Sequence, residues 1–540
     1  MDLNKLMLRP WESGFELPDT FNMVSLLLDR HLTGDRAKRT AIIFQDDELS
    51  YAQLGRLTNK IGNGLLKLGV KPQDRVIILL YDQPEFMALF LAAMKIGAVP
   101  VPVNVLATTK DHEYFITDSQ ASTIVMEAEF QDKLSAFLAD APHVNNIVVH
   151  GGAKGSAVDL NGLIEDADDG LDTYPTSKMD HSYWLYTSGT TGAPKAVMHL
   201  HKDLVYAVET WGHHVVDFKP DDRVFCMSKL FFSYGLNYSL YLPLYYGASM
   251  ILNPDRPTPD TILSIIEKCR PTGLFSVPTA YGQMLNYLEE SDANPDLTCL
   301  RFCISAGEAL PGSLFKRWRD RFDIEIFDGL GSSEASFIFI SNRPGKIKES
   351  ASGTPLPGYT IDVRDEQGNP VPPCEVGELW MKSNTIFHGY WNQPEKTAET
   401  LVDGWMKTGD MGYLDADGFF FFSARANDTM KVSGIWMSPL EVENALLSHP
   451  AVAECAVVGH EDAMGLVKPK GFVTLKGGYE PSDALVKELQ VHVKQNLAPH
   501  KYPRLIEFVD DLPKTSTGKI QRYKLREAPQ VPDTCDAPQV

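Results

Sequence analysis

Residues Tyr186–Val197 read YTSGTTGAPKAV, and the rest of the chain is best understood outward from them. The run follows an apolar, strand-like WLY and sets hydroxyl residues and glycine, Thr187 to Thr191, ahead of Gly192 and Lys195. Small residues let backbone N–H groups approach phosphate oxygens, hydroxyls add donors, and a lysine supplies a point charge. The spacing does not fit the GxxxxGK[ST] loop, and no GxGxxG opens a helix, so neither the common mononucleotide loop nor the ordinary dinucleotide fingerprint applies. Composition alone would also suit a flexible Gly/Ser/Thr loop. The surrounding chain has to decide.

The chain has 540 residues, with 50 Lys+Arg against 71 Asp+Glu and a net charge of −21. Such a length predicts about two to four packed units. Hydrophobic residues at 44% and charged residues at 22% fit an ordinary globular protein. The acidity argues against a nucleic-acid or anionic-membrane binder, because both need concentrated positive charge. An anionic substrate stays open, since a few local donors bind phosphate within an acidic protein. The seven cysteines form no CxxC pair, and Cys299 and Cys303 have no second pair or nearby histidine to complete a zinc site. They are expected to be reduced and mostly buried. The N-terminal stretch lacks the apolar core of a secretory signal, and FMALFLAAM at 86–94 is about half the ~20 residues a spanning helix needs. A cytoplasmic protein is expected.

Helix and strand patterns alternate through the first part. YAQLGRLTNKIGNGLLKLG at 51–69 has helical spacing and ends at Gly69 as at a C-cap. RVIILLY at 75–81 predicts a buried strand, Pro84–Ile96 a helix and AVPVPV at 98–103 another strand. SIIEKC (264–269), GLFSVP (273–278) and LRFCIS (300–305) repeat the rhythm, which predicts an α/β fold with largely parallel sheets. The last quarter differs: helix at 439–450, strand at 452–459, helix at 485–497, strand at 505–513, a compact α+β unit. A boundary is placed near Ala424–Asp428. Ala528–Val540, with Pro529, Pro532 and Pro538 and no apolar period, is expected to be a disordered tail.

Five further-reaching motifs stand in series: YTSGTTGAPK (186–195), SAGEALP (305–311), DGLGSSE (328–334), KTGD (407–410) with SARANDTMKVSG (423–434), and PKTSTGK (513–519). With these the chain resembles the adenylate-forming superfamily of acyl- and aryl-CoA synthetases, luciferases and adenylation domains, from about residue 20 to residue 526. The resemblance implies a large N-terminal domain (1–424) of layered α/β subdomains plus a β-barrel-like part, a hinge at 425–428, and a small mobile α+β domain at 429–527. It implies two steps: a carboxylate attacks the α-phosphate of MgATP to give an acyl-adenylate and pyrophosphate, then a thiol, usually coenzyme A, displaces AMP. Both nucleophiles come from substrates. The protein must neutralise charge, align the reactants and exclude water.

Residue roles follow from the same resemblance. Thr187, Ser188, Gly189, Thr190, Thr191, Gly192 and Lys195 match the β- and γ-phosphate loop. Ser333, where the family has threonine, matches the α-phosphate hydroxyl, and Glu334 the Mg²⁺ carboxylate. Asp328, with Gly329 beside it, matches the adenine amino contact, and Ala306, Gly307 and Glu308 the backbone passing the adenine face. Asp410 and Arg425 match the ribose contacts. Lys519 matches the lysine that reaches the carboxylate and α-phosphate during adenylation and leaves for the thioester step. Asn427 falls at the hinge, where aspartate or lysine is usual. Lys431, Ser433, Gly434 and Trp436 match the wall of the pantetheine tunnel. Catalysis is thus expected from Lys519, Glu334, Ser333 and Lys195.

KLFFSYGLNYSLYLPLYYGA (229–248), together with IFISNRPG (338–345), looks most like benzoate-CoA-ligase-type enzymes. There the acyl pocket would be walled by Phe232, Ser233, Tyr234, Ala306, Gly331 and Phe337. A flat aromatic slot suits an aryl acid. Phe337 stands where that group carries histidine, so ring-bearing carboxylates other than benzoate, and medium-chain fatty acids, remain open. So do an enzyme that loads a separate carrier protein and a non-catalytic nucleotide sensor. His199 and His201 have HxH spacing with no third ligand, and are expected to cap the loop-to-helix turn. No nucleic-acid or membrane partner is expected, and the chain is expected to be a monomer or homodimer.

Overall fold

The computed structural model describes residues 15–165, 167–187, 194–291, 293–425, 430–432, 435–461, 467–497, 501–514 and 520–527. The chain divides into two compact units. The first comprises Met1–Glu375, Leu379–Thr408 and Leu414–Phe421, and the second Val376–Glu378, Gly409–Tyr413 and Phe422–Val540.

In the first unit, five parallel strands run in the order Val99–Pro102, Arg75–Leu79, Thr123–Glu127, Asn146–His150, Val158–Asp159. Both faces are covered, and Ile77, Ile78, Val125 and Val148 are all essentially inaccessible to solvent, which is why these strands are continuous apolar runs and do not alternate. A nine-stranded sheet has a central parallel run of Thr40–Phe44, Ser249–Leu252, Arg223–Cys226, Gly273–Ser276, Phe302–Ala306 and Ile326–Gly331. Ile338–Ser341 then adds antiparallel to Ile326–Gly331. That reversal takes the chain through residues 332–337 at the carboxyl end of a parallel strand, the usual place for a ligand in such sheets.

Local chemistry explains the element ends. Helix Tyr51–Lys67 starts in a capping box, with Gln53 N–H on Ser50 Oγ and Ser50 N–H on Gln53 Oε1. It stops before Gly69, whose φ of 84° is the left-handed turn that glycine allows. Strand Arg75–Leu79 is shorter than predicted because Tyr81 N–H turns to the Glu127 carboxylate at 3.2 Å. Helix Pro259–Cys269 begins earlier than predicted, with Pro259 in its first turn. The aromatic stretch folds as helix Ser233–Leu236, a π-helical turn Asn237–Tyr241 and helix Leu242–Tyr246. π-turns of this kind cluster at functional sites.

The second unit is a sheet of Val452–Glu461, Val467–Leu475 and Leu505–Phe508, antiparallel and then parallel. Helices Pro439–Leu447 and Asp483–Asn496 accompany it, and Val442, Leu446, Val457, Val473, Leu489 and Val493 form its core. Cys226, Cys269, Cys303 and Cys455 are buried free thiols, Cys299 is half-buried and Cys374 is exposed. Among the described residues, no helix is long and apolar enough to cross a membrane, and no group of acidic, histidine and cysteine residues is arranged to hold a metal ion by itself.

Candidate functional site

The YTSGTTGAPK segment is carried by a hairpin. Strand His181–Thr187 pairs antiparallel with Lys195–Leu200, and Thr187 faces Lys195 where the loop closes. Ser188, Gly189, Thr190, Thr191 and Gly192 lie outside the described residues. Both feet of the loop are tied down. Tyr114 hydroxyl donates to the Pro194 carbonyl at 2.8 Å, and Tyr186 hydroxyl donates to Asp118 at 2.7 Å. The short strand Gly389–Tyr390 pairs with the outer side of Lys195–Leu200. It places the Tyr390 ring under the Lys195 ammonium, 4.4 Å from the ring centroid. Burial draws the Lys195 pKa down, with Glu334 the main influence acting the other way.

Ser333 and Glu334 open a 3-10 turn, Ser333–Ala335, in which Ser332 Oγ accepts Ala335 N–H at 3.2 Å. Glu334 is held twice. Its carbonyl accepts Phe387 N–H at 2.8 Å, and its Oε1 accepts the Tyr390 hydroxyl at 2.9 Å. Ser336 follows at φ 67°, ψ −50°, and Phe337 N–H donates to Ala335 carbonyl at 2.8 Å. That is a γ-turn of the strained, positive-φ kind, which costs about 1–3 kcal/mol and persists only where neighbours fix it. Those neighbours are identifiable. His199 Nε2–H donates to the Ser333 carbonyl at 2.7 Å, His199 Nδ1 takes the Ser336 hydroxyl at 3.1 Å, and Asn237 Nδ2 donates to the Ser336 carbonyl. Neither His199 nor His201 caps a helix, contrary to the expectation. His199 is a fully buried strand residue stacked on Tyr183, while His201 Nδ1 accepts Met23 N–H at 3.1 Å. The helix Asp203–Val215 has no side-chain cap, and the Asp203 carboxylate instead turns back to the strand end, accepting Leu200 N–H at 2.9 Å.

Asp328 and Ala306 lie near the carboxyl ends of adjacent parallel strands, in register as Ser305↔Asp328 and Ala306↔Gly329. Asp328 is 4% exposed, and its Oδ1 has no hydrogen-bond partner among the described residues. Burial pushes its pKa up to about 8. The chain leaves this edge through Gly307, at φ 88°, and Glu308 accepts the Thr279 hydroxyl at 2.8 Å. Gly329 is required by packing, since a Cβ there would stand 2.7 Å from Ile338. Gly331 likewise presses on the Phe337 carbonyl, 2.7 Å from where a Cβ would be.

The aromatic wall has a layered construction. Phe232 packs edge-on against Phe231 at 4.7 Å, and Ser233 Oγ accepts from Asn237 Nδ2 at 3.2 Å. Tyr234 points its hydroxyl inward to the Ser276 carbonyl at 3.2 Å. Tyr238 stacks on Phe275 at 4.5 Å, and Phe337, only 2% exposed, meets the Tyr238 edge at 5.2 Å. Tyr238 meets Tyr234 at 5.1 Å on its other side, so the Phe337 ring consolidates the packing behind Tyr234.

In the second unit, Asp410 is fully buried and pairs with Arg425 Nη1 at 3.0 Å. Hairpin Met430–Val432/Ile435–Met437 sets Lys431 opposite Trp436 along the backbone. Asn427, Ser433, Gly434 and Lys519 lie outside the described residues, as do the side chains of Lys431 and Trp436.

The description AMP-binding enzyme matches residues 28–391, and its C-terminal domain matches residues 441–519. The chain belongs to the AMP-binding enzyme family. It is 42% identical over 522 residues to the benzoate–CoA ligase of Thauera aromatica, covering 95% of this chain and 97% of that protein. It is 39% identical over 510 residues to a 4-hydroxybenzoate–CoA/benzoate–CoA ligase of Rhodopseudomonas palustris, covering 94% of each. Among solved structures, the anthranilate CoA ligase AuaEII in complex with anthranoyl-AMP superposes with a TM-score of 0.91 at 38% identity, covering 95% of this chain and 98% of that one. Motif reading singles out Lys195, Ser333, Glu334 and Asp328, passes over Tyr390 and Tyr114, and gives His199 a capping part that the structure does not. The parts of Tyr390 and His199 depend on strand pairing and that of Tyr114 on its place in the helix Thr109–Ser119, in each case across long sequence separations. For Tyr390 the only local signal was GYW after SNTIFH, which by itself is an ordinary loop or strand end.

Proposed function

We propose that this AMP-binding enzyme is an ATP-dependent aryl-CoA ligase, which activates a benzoate-type acid as its adenylate and transfers the acyl group to coenzyme A. The near full-length similarity to ligases of benzoate and hydroxybenzoates carries the reading. The layered aromatic wall of Phe232, Tyr234, Tyr238 and Phe337 supports a flat substrate. In the first step a substrate carboxylate oxygen bonds to the α-phosphorus while the bond to the bridging oxygen breaks and pyrophosphate departs. Lys195 lies at the foot of the loop where it would neutralise the departing phosphates, and the Ser333 hydroxyl would donate to the α-phosphate. Glu334 suits a magnesium ion. It is a hard carboxylate donor held by the Phe387 backbone N–H and the Tyr390 hydroxyl. When bound, the ion supplies charge neutralisation on the phosphate oxygens. Lys519 would add its charge at the reacting oxygens, and Asp410 and Arg425 would hold the ribose.

Asp328 carries a pH prediction. Its unpartnered Oδ1 would accept the adenine amino group, and a carboxylate accepts better than a neutral acid. Because its pKa in the free protein is raised to about 8, nucleotide affinity is expected to rise several-fold between about pH 6 and 8 and then level off. Calorimetric binding of MgATP across that range checks this, with Asp328→Asn as the variant whose slope should be lost.

The overall test is pyrophosphate release with MgATP over benzoate, hydroxy- and aminobenzoates, cinnamates, cyclohexanecarboxylate and straight-chain acids, each with and without coenzyme A. Sustained turnover with an aryl acid, dependent on coenzyme A, is the expected outcome. A preference for straight-chain acids would overturn the aryl assignment, and no release with any acid would favour a nucleotide sensor.

A further inference from the structure

We infer that Tyr390 is a positioning residue of the phosphate site, a spacer that keeps the Lys195 ammonium and the Glu334 carboxylate from pairing with each other, and so sets the affinity for magnesium-bound nucleotide. This rests on the roles proposed above for Lys195 and Glu334.

One side chain touches both charges. The hydroxyl donates to Glu334 Oε1 at 2.9 Å while the ring face carries Lys195 Nζ at 4.4 Å. The tyrosine itself is firmly set. It is 6% exposed, its N–H donates to Thr397 Oγ1 at 2.9 Å, Thr397 Oγ1 donates to the Gln393 carbonyl at 2.9 Å, and the Phe387 ring lies 4.7 Å away. The other charges acting on Lys195 are Lys396 and Glu399, which are engaged with each other at 2.7 Å. Glu334 is thus the counter-charge to which a released Lys195 would turn.

Oppositely charged groups in a partly buried site attract strongly. A direct Lys195–Glu334 pair would have to be broken before phosphate took the ammonium and magnesium took the carboxylate. Tyr390 substitutes two weaker contacts, a hydrogen bond from an uncharged hydroxyl to the carboxylate and a cation–π contact to the ammonium, which incoming ligands displace at lower cost than a direct ion pair. The phosphate site is pre-organised and still exchangeable.

The test is calorimetric binding of MgATP to the full chain over a magnesium series, without acid substrate, for Tyr390→Phe, Tyr390→Leu, Lys195→Met, Glu334→Gln and the Lys195→Met/Tyr390→Leu double variant. Tyr390→Leu removes the spacer and is expected to weaken MgATP binding by about tenfold, whereas Tyr390→Phe keeps the ring and should lose about threefold or less. In the Lys195→Met background the Tyr390→Leu loss should vanish, because no ammonium remains to collapse onto Glu334. An equal loss from Phe and Leu, or an undiminished loss in the Lys195→Met background, would overturn the spacer and leave a purely structural tyrosine. Wild-type affinity in both tyrosine variants would overturn it too, while Lys195→Met and Glu334→Gln still bound poorly. If those two variants bound MgATP like the wild type, the phosphate-site reading itself would fall, and the spacer with it. Melting temperatures measured alongside identify a variant that is merely unfolded.

Discussion

Glu334→Gln is expected to reduce pyrophosphate release by about 10²–10³-fold at saturating acid and ATP. The change keeps the shape of a side chain that accepts the Tyr390 hydroxyl, so folding should be preserved. What it removes is the charge that would hold magnesium against the phosphates. Because the Glu334 backbone is pinned separately by Phe387 N–H, the turn should keep its geometry in the variant. The measurement is steady-state pyrophosphate release across a magnesium titration. Near wild-type rates at ordinary magnesium would remove Glu334 from the chemistry.

Lys519→Ala is expected to lose about 10²-fold or more in adenylate formation, a loss of the size seen when one preorganised donor to the transition state is removed. The step in question puts negative charge on oxygens around the α-phosphorus, which a lysine amine stabilises and an alanine does not. Supplied with preformed aryl-adenylate, the variant should still make thioester from coenzyme A, since the part proposed for the lysine is confined to the first step. Measuring the two half-reactions separately checks both statements. Equal damage to both would assign Lys519 a general structural part, and an unchanged adenylation rate would remove it from the mechanism.

The α/β alternation was legible from continuous apolar runs such as Arg75–Leu79 and from helices opened by Pro84 or closed before Gly69, because burial and capping act locally. The motifs proposed to hold phosphate, YTSGTTGAPK and SSE, stood out in the sequence for a related reason. Binding phosphate and a hard cation limits a short segment to small, hydroxyl and charged residues, and that limit survives as a pattern. His199 was misread. Its position between the loop and the next helix pointed to a cap, but its place came from the strand pairing that set it against Tyr183 and beneath the Ser333 carbonyl.

The sequence by itself determined the family and the order of the elements, and it supplied the motifs proposed to meet the nucleotide, all of which are written in contiguous stretches. Only the tertiary structure decided how those residues are held. It showed the strained turn at Ser336 clamped by His199 and Asn237, Phe337 turned into the wall behind Tyr234, and Tyr390 set between Lys195 and Glu334. These contacts join segments far apart in the chain. Their geometry is fixed by sheet register and close packing, which no local pattern of residue types records.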